Sequence, residues 1–279
     1  MPSPSSSSSR SGAIRSCPSE RRARRRGAPI IASLTLAVRF LTIAPVPGRD
    51  STDPSALGRA AWWFPVVGLG LGLVLAGAAR LVDAVAPPLL GAALLVAAWK
   101  IATGGIHLDG LADCLDGLAG PDAGRRRAIM RDSRIGVFGA AGVALLLILF
   151  VTALSEVATP DRSRLLLLAP VVGRVSPLMA GAWLRSATPG QGLGGAFAAS
   201  LSPWAGPLGG AAGLALAAWL LGPSGTAVAA AGLGLSVLWA AFAARRFDGI
   251  TGDVLGAVVE LGELATVVLG VVVAHRGSL

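Results

Sequence analysis

Charge is what this chain has least of. Only 14% of its 279 residues are Asp, Glu, Lys or Arg, against about 25% in a soluble domain. With 53% hydrophobic residues and a mean hydropathy of +0.69, the chain is too apolar for an all-round aqueous surface. Lys100 is its only lysine and it has no tyrosine; beside the load of Ala, Gly and Arg, these absences mark a biased composition and say little about chemistry. Its two cysteines, Cys17 and Cys114, form neither a disulfide framework nor a zinc site. A secretory signal is missing too, because the first apolar stretch comes late and lacks a clear cleavage site. No internal repeat is visible. The net charge of +9 does not imply nucleic acid, since the arginines sit in a tail and in loops, with no soluble nucleic-acid-binding module beside them.

What is present is a series of uncharged runs of the length a bilayer requires, about 20 residues each. The expected fold is all-α, a polytopic integral membrane helical bundle in the lipid bilayer. Seven spans are predicted: Ala61 to Val85, Leu89 to Thr103, Val137 to Leu154, Leu165 to Leu184, Trp204 to Leu221, Thr226 to Ala244 and Val254 to Ala274. Ile30 to Pro45 is apolar but short, interrupted by Arg39, and reads as an interfacial or re-entrant segment. Residues 1–27 form a basic Ser/Arg-rich tail expected to be disordered. Such a tail is a basic arm for anionic lipid or, more simply, a solvated topogenic tail or a start codon placed too early. Residues 28–279 then form a single helical membrane catalytic domain.

Arginines set the orientation. Positive residues in short loops mark the cytoplasmic side, and the tail and the loop carrying Arg125, Arg126, Arg127, Arg131 and Arg134 are both basic. Counting spans from there brings Ser186 to Pro203 and Arg245 to Asp253 to the same face. The expected location is the cell (inner or plasma) membrane, with the site facing the cytoplasm.

On that face lies Gly104 to Gly117, which holds His107, Asp109, Asp113 and Asp116. In a helix the three aspartates fall at i, i+4 and i+7 on one side. Like charges so placed repel, and a divalent cation is the usual compensation. A helix cap explains one aspartate but not three. His107 reads as a general base or as a satisfied interfacial histidine. After this stretch comes Arg131-Asp132-Ser133-Arg134, in which the arginines suit bidentate contact with phosphate and Asp132 is a further candidate ligand. The last span brings Asp253, Glu260 and Glu263. Carboxylates in a membrane helix cost a few kcal/mol. They are either further metal or substrate contacts, or structural groups, with Asp253 capping the helix and the glutamates pairing with arginines of a neighbour. The loop Gly190 to Gly195 is a weak phosphate signal, and for Gly68, Gly70 and Gly72 helix packing is the default. Carboxylates, arginines and a cytoplasmic face together suggest a membrane enzyme acting on a phosphate-containing substrate.

Four blocks in order resemble the cobalamin synthase (adenosylcobinamide-GDP ribazoletransferase) family: Phe40-Leu41-Thr42 with Pro45-Val46-Pro47, Phe64-Pro65 and Gly68; Thr103 to Gly117; Ile129 to Gly136; and Thr251 to Ala257 with Glu260-Leu261-Gly262-Glu263. The resemblance runs from about Phe40 to the end. It implies that adenosylcobinamide-GDP is joined to α-ribazole, or its 5′-phosphate, giving adenosylcobalamin (or its phosphate) and GMP late in vitamin B12 biosynthesis. It also implies Mg²⁺ and association with other enzymes of the corrinoid pathway. On this reading Asp109, Asp113, Asp116 and Asp132 hold metal, His107 handles the hydroxyl proton, and Arg131, Ser133, Arg134, Asp253, Glu260 and Glu263 contact substrate. Two alternatives stand beside it. A CDP-alcohol phosphotransferase shares Asp113-Cys114-Leu115-Asp116-Gly117 but needs a later Ala-Arg pair, whereas Ala119 comes one position early with no arginine after it. A cation or proton transporter would line a path with Asp113, Asp116, Glu260 and Glu263, although transporter sites lie at the midplane.

Overall fold

A computed structural model describes residues 30–48, 53, 55–189 and 192–277. The expected basic tail, and Gly190 and Gln191 of the glycine loop, lie outside the described residues. Among the described residues there is no strand, only an isolated bridge between Ser186 and Ile250. The fold is the expected all-α membrane bundle.

The helices are α1 (Ile30–Leu41), α2 (Ala56–Ala60), α3 (Phe64–Asp83), α4 (Pro88–Ala102), α5 (Ile106–Gly117), α6 (Ala123–Met130), α7 (Val137–Ser155), α8 (Thr159–Trp183), α9 (Gly192–Ser200), α10 (Ala205–Phe247) and α11 (Gly252–His275). At 1.5 Å per residue, the 12 residues of α1 reach only about 18 Å, short of a hydrocarbon core of about 30 Å. α8 starts six residues before the expected Leu165. Pro160 sits in its first turn, where a missing N–H costs nothing, and Arg162 is held by Asp83 at 2.6 Å.

α10 runs to 43 residues, about 65 Å if straight, which is twice a bilayer. It is not straight. Gly222 leaves helical geometry at φ 62°, ψ −150°, a conformation open chiefly to glycine. A Cβ on Gly225 would lie 2.8 Å from the Ala217 carbonyl oxygen, although eight residues of unbroken helix span about 12 Å. The chain therefore doubles back, and both arms reach one level of α8. Gly209 lies against Val175, and the Ser236 hydroxyl donates to Ser176 Oγ at 2.9 Å. These arms are the two expected spans. Five helices are long and apolar enough to cross a membrane, and six if α4 and α5 count as one broken span; the fold-back of α10 makes seven.

α8 is the buried centre, and α3 packs on it through small residues. A Cβ on Gly68 or Gly72 would come within 2.6 Å of the Pro170 or Leu167 carbonyl oxygen, the close backbone approach that membrane helices use in place of a hydrophobic drive. Gly70 faces open space and takes no part, contrary to the packing role expected of it. Between α4 and α5 the axis turns by 90° over Gly104 and Gly105, both left-handed at φ 65° and 70°. α5 therefore lies roughly perpendicular to α4. That turn places the acidic stretch across one end of the bundle.

Candidate active site

A cavity of about 550 Å³ opens where α5, α6, α9 and the start of α11 meet. Close backbone contact assembles it: a Cβ on Gly110 of α5 would lie 2.8 Å from the Asp253 carbonyl oxygen. Thr251 caps α11, its Oγ1 accepting from the Val254 N–H at 3.2 Å. Asp253 is thus in the first helical turn and is not the cap. The Asp122 carboxylate starts α6 by accepting from the Arg125 N–H at 2.9 Å. From α6, Arg127 donates to the Phe247 carbonyl and Arg126 to the Arg246 carbonyl at 3.2 Å, which ties the basic helix to the end of α10. His107, Asp109, Arg127, Arg131, Thr251 and Asp253 line the charged side of the cavity, and Phe40, Phe64 and Phe197 belong to its apolar lining.

The side chains of Asp109 and Asp113 make no hydrogen bond or ion pair among the described residues, and neither does that of Arg131, which is exposed. Burial, followed by the charges of Asp109, Asp253 and Asp116, pushes the Asp113 carboxyl up to about 7. His107 is buried, with Nδ1 lacking a partner. Burial first, and then the charges of Arg174 and Lys100, push it well below its ordinary range. The imidazole is therefore neutral at physiological pH, a form able to accept a proton.

The structure distributes the expected site residues over three places. His107, Asp109, Arg131 and Asp253 line the cavity, with Asp113 in electrostatic contact with Asp109 and Asp253. Asp116 turns to α7 instead, one carboxylate oxygen accepting from the Gly136 N–H at 2.7 Å and the other from the Gly139 N–H at 2.8 Å. Asp132 and Arg134 flank a second hollow beside Asp116 and pair with each other at 2.7 Å. Their pairing holds the Asp132 carboxyl down at about 2. Ser133 is exposed and lines neither hollow. Glu260 and Glu263 are each 1% exposed. Lys100 Nζ lies 2.6 Å from Glu260 and 3.0 Å from Glu263, and Arg174 pairs with Glu263. The reading of a partnership with a neighbouring helix describes Glu263; the lysine was not anticipated. Among the described residues no three His, Cys, Asp or Glu side chains converge tightly enough to enclose a metal by themselves, so the set Asp109, Asp113, Asp116 and Asp132 is not assembled as one cage.

Sequence reasoning left Arg127 undecided between phosphate contact and a topogenic charge run and out of the candidate site, and read the phenylalanines only as family signature or not at all. For Arg127 the signal available was its helical spacing from Arg131, four residues on and on one face.

Over residues 33–272 the chain matches the family model of CobS, cobalamin-5-phosphate synthase. It is 41% identical over 242 residues to an adenosylcobinamide-GDP ribazoletransferase of Pseudomonas paraeruginosa, covering 85% of this chain and 96% of that one. It is 38% identical over 253 residues to one of Geotalea daltonii (86% and 97% covered) and 34% over 237 residues to one of Acetivibrio thermocellus (85% and 96%). No solved structure is significantly similar.

Proposed function

This chain belongs to the CobS, cobalamin-5-phosphate synthase, family, and on that premise we propose that its 550 Å³ cavity is a ribazoletransferase centre. The protein is a transferase of cobalamin biosynthesis, joining adenosylcobinamide-GDP to α-ribazole or its 5′-phosphate with release of GMP. The observation that carries the location is one cavity holding two guanidinium groups, free carboxylates and a neutral histidine. A ribose hydroxyl attacks the cobinamide-bearing phosphorus, the P–O bond to the GMP phosphate breaks, and GMP leaves with that bridging oxygen. Arg127 and Arg131 hold the pyrophosphate oxygens, a task for which planar guanidinium is suited. His107 takes the hydroxyl proton.

Mg²⁺ belongs to this proposal. Asp109, Asp113 and Asp253 are the residues that would hold it, since none has a cationic partner among the described residues and their charges crowd one another. One or two carboxylates are enough where phosphates complete the shell, so a protein-only cage of three is not required. When bound, the ion neutralises charge developing on the transferring phosphoryl group. The arginines of α6 support a cytoplasmic position for this end of the bundle under the positive-inside rule, and association with other enzymes of the corrinoid pathway is part of the same proposal.

The test is GMP release in membranes supplied with adenosylcobinamide-GDP, α-ribazole and Mg²⁺. Release should need all three and fall at least about 100-fold in Asp109→Asn, as losing several kcal/mol of charge stabilisation requires. A folded wild type that releases no GMP, or an Asp109→Asn enzyme at full rate, would overturn the reading.

A further inference from the structure

The apolar side of the cavity has a specific construction. Phe40 comes from α1, Phe64 opens α3 and Phe197 lies in α9, yet their rings form one near-parallel series. Phe40 and Phe64 are 5.9 Å apart at 17°, and Phe64 and Phe197 are 5.7 Å apart at 10°. Glycines fix the third ring in place. A Cβ on Gly181 would stand 3.1 Å from the Phe197 ring, and one on Gly194 would meet the Gly252 backbone nitrogen at 2.3 Å. Bulk at either position would move α9 off the wall.

We propose that this phenylalanine wall is the subsite for the base of the ribazole substrate and selects a flat heterocycle poor in hydrogen-bonding groups, of the benzimidazole kind, over a purine. The inference rests on the cavity being the ribazoletransferase centre. Two physical arguments single out this occupant. A cavity of about 550 Å³ is in the range that encloses one drug-sized ligand. A nucleoside enters whole, whereas a corrin ring with its nucleotide does not and must stay at the rim. Apart from the adenine of the adenosyl group, which stays with the corrin at the rim, guanine of the leaving GMP is the other flat heterocycle in the reaction. Its edge is dense in donors and acceptors, and against three hydrocarbon rings those groups would go unpaired at a cost. A benzimidazole has almost none to lose and can pack on the half-buried Phe40 ring and on the ring edges of Phe64 and Phe197, which are only 2% and 3% exposed, in the edge-on manner aromatic rings favour. With the base on the wall, the ribose projects toward His107 and Asp109 on the charged side, where the attacking hydroxyl is needed.

Steady-state GMP release by the full chain in membranes tests this, with α-ribazole or the corresponding α-riboside of adenine as acceptor. In Phe197→Ala the KM for α-ribazole should rise roughly 10- to 100-fold, as for loss of a base-stacking aromatic. The KM for adenosylcobinamide-GDP should stay within about threefold, and the preference for α-ribazole over the adenine riboside should shrink. Phe40→Leu keeps the hydrocarbon and removes the flat ring at a half-buried position. It should move the same KM in the same direction by less, and it decides the matter if Phe197→Ala does not fold. An unchanged ribazole KM in Phe40→Leu, or a rise confined to the corrinoid KM or to GMP inhibition, overturns the subsite. A wild type that releases no GMP overturns the transferase reading and the subsite with it.

Discussion

Replacing Asp116 with asparagine separates two roles for the residue, metal ligand and helix clasp. Its oxygens accept from the Gly136 and Gly139 N–H groups at 2.7 and 2.8 Å, at the N-terminal end of α7. The fit is tight: a Cβ on either glycine would come within 2.4 Å of the carboxylate. Asparagine keeps one acceptor and turns an NH₂ toward the other N–H. That forfeits one charge-assisted hydrogen bond, about 1.5–3 kcal/mol, and the charge–dipole attraction at the helix end, about 0.3–1 kcal/mol. The sum is roughly 2–4 kcal/mol, or a fall in melting temperature in detergent of roughly 5–10 °C for a chain of this size. The enzyme that remains folded should show wild-type dependence of GMP release on Mg²⁺ concentration, whereas Asp109→Asn and Asp113→Asn should need more Mg²⁺. An Asp116→Asn protein with unchanged melting and a raised Mg²⁺ requirement would refute the clasp and restore Asp116 as a ligand.

Glu263→Gln strips the Arg174 guanidinium of its charge partner where Arg174 Nε and Nη2 already lack partners. It should cost about 3–5 kcal/mol, read as thermal stability in detergent, and an unchanged melting point would sink the network's structural role. Gly105→Ala tests the elbow: no atom lies within 4 Å of the new Cβ, so the loss of about 1–2 kcal/mol comes from φ 70° alone. Stability within the wild-type range would mean that the turn relaxes. For Asp113 the folded carboxyl sits near 7, above its ordinary value. Its contribution to stability is therefore present below about pH 4 and is lost as pH rises to about 7. Asp113→Asn should flatten that slope and gain about 1 kcal/mol at pH 8 in the absence of Mg²⁺, after discounting for solvent screening. Identical pH–stability profiles for the two proteins would refute the shift.

The spans were legible because apolar length is a one-dimensional property of a bilayer protein. Even the division of α10 was visible, as the Leu221-Gly222-Pro223 interruption between two runs. The start of α8 was not, because Arg162 counts against a span until Asp83, 79 residues earlier, is known to pair with it. The acidic stretch announced itself by spacing, and Asp109 and Asp253 indeed meet the same cavity. What spacing cannot reveal is a partner from elsewhere in the chain. Asp113 and Asp116 share a helical face, yet Gly136 and Gly139 occupy only the second. The phenylalanine wall was hidden for the same reason, since its three rings come from helices far apart in sequence.

The carboxylates at this end of the bundle differ most in what neutralises them, and that difference supports the proposed site. Glu260 and Glu263 face two buried cations, Lys100 and Arg174. Lys100 also sits over the Trp99 and Phe150 rings at 4.7 and 4.4 Å. Two negative and two positive groups leave no net charge there, the condition under which burial is tolerable. A transport path would need those glutamates to exchange ions with water, and at 1% exposure they are closed to it. Val259 lines the cavity whereas its neighbour Glu260 does not, so this neutral block stands one residue behind the wall. In front of it Asp109, Asp113 and Asp253 have no cation of their own among the described residues, while Arg131 across the cavity has no anion. Opposite charges that share a cavity without pairing fit the proposed site, in which a ligand binds between them. On the proposed function, a divalent cation would answer the carboxylates and a pyrophosphate would answer the arginine, each ligand satisfying the other.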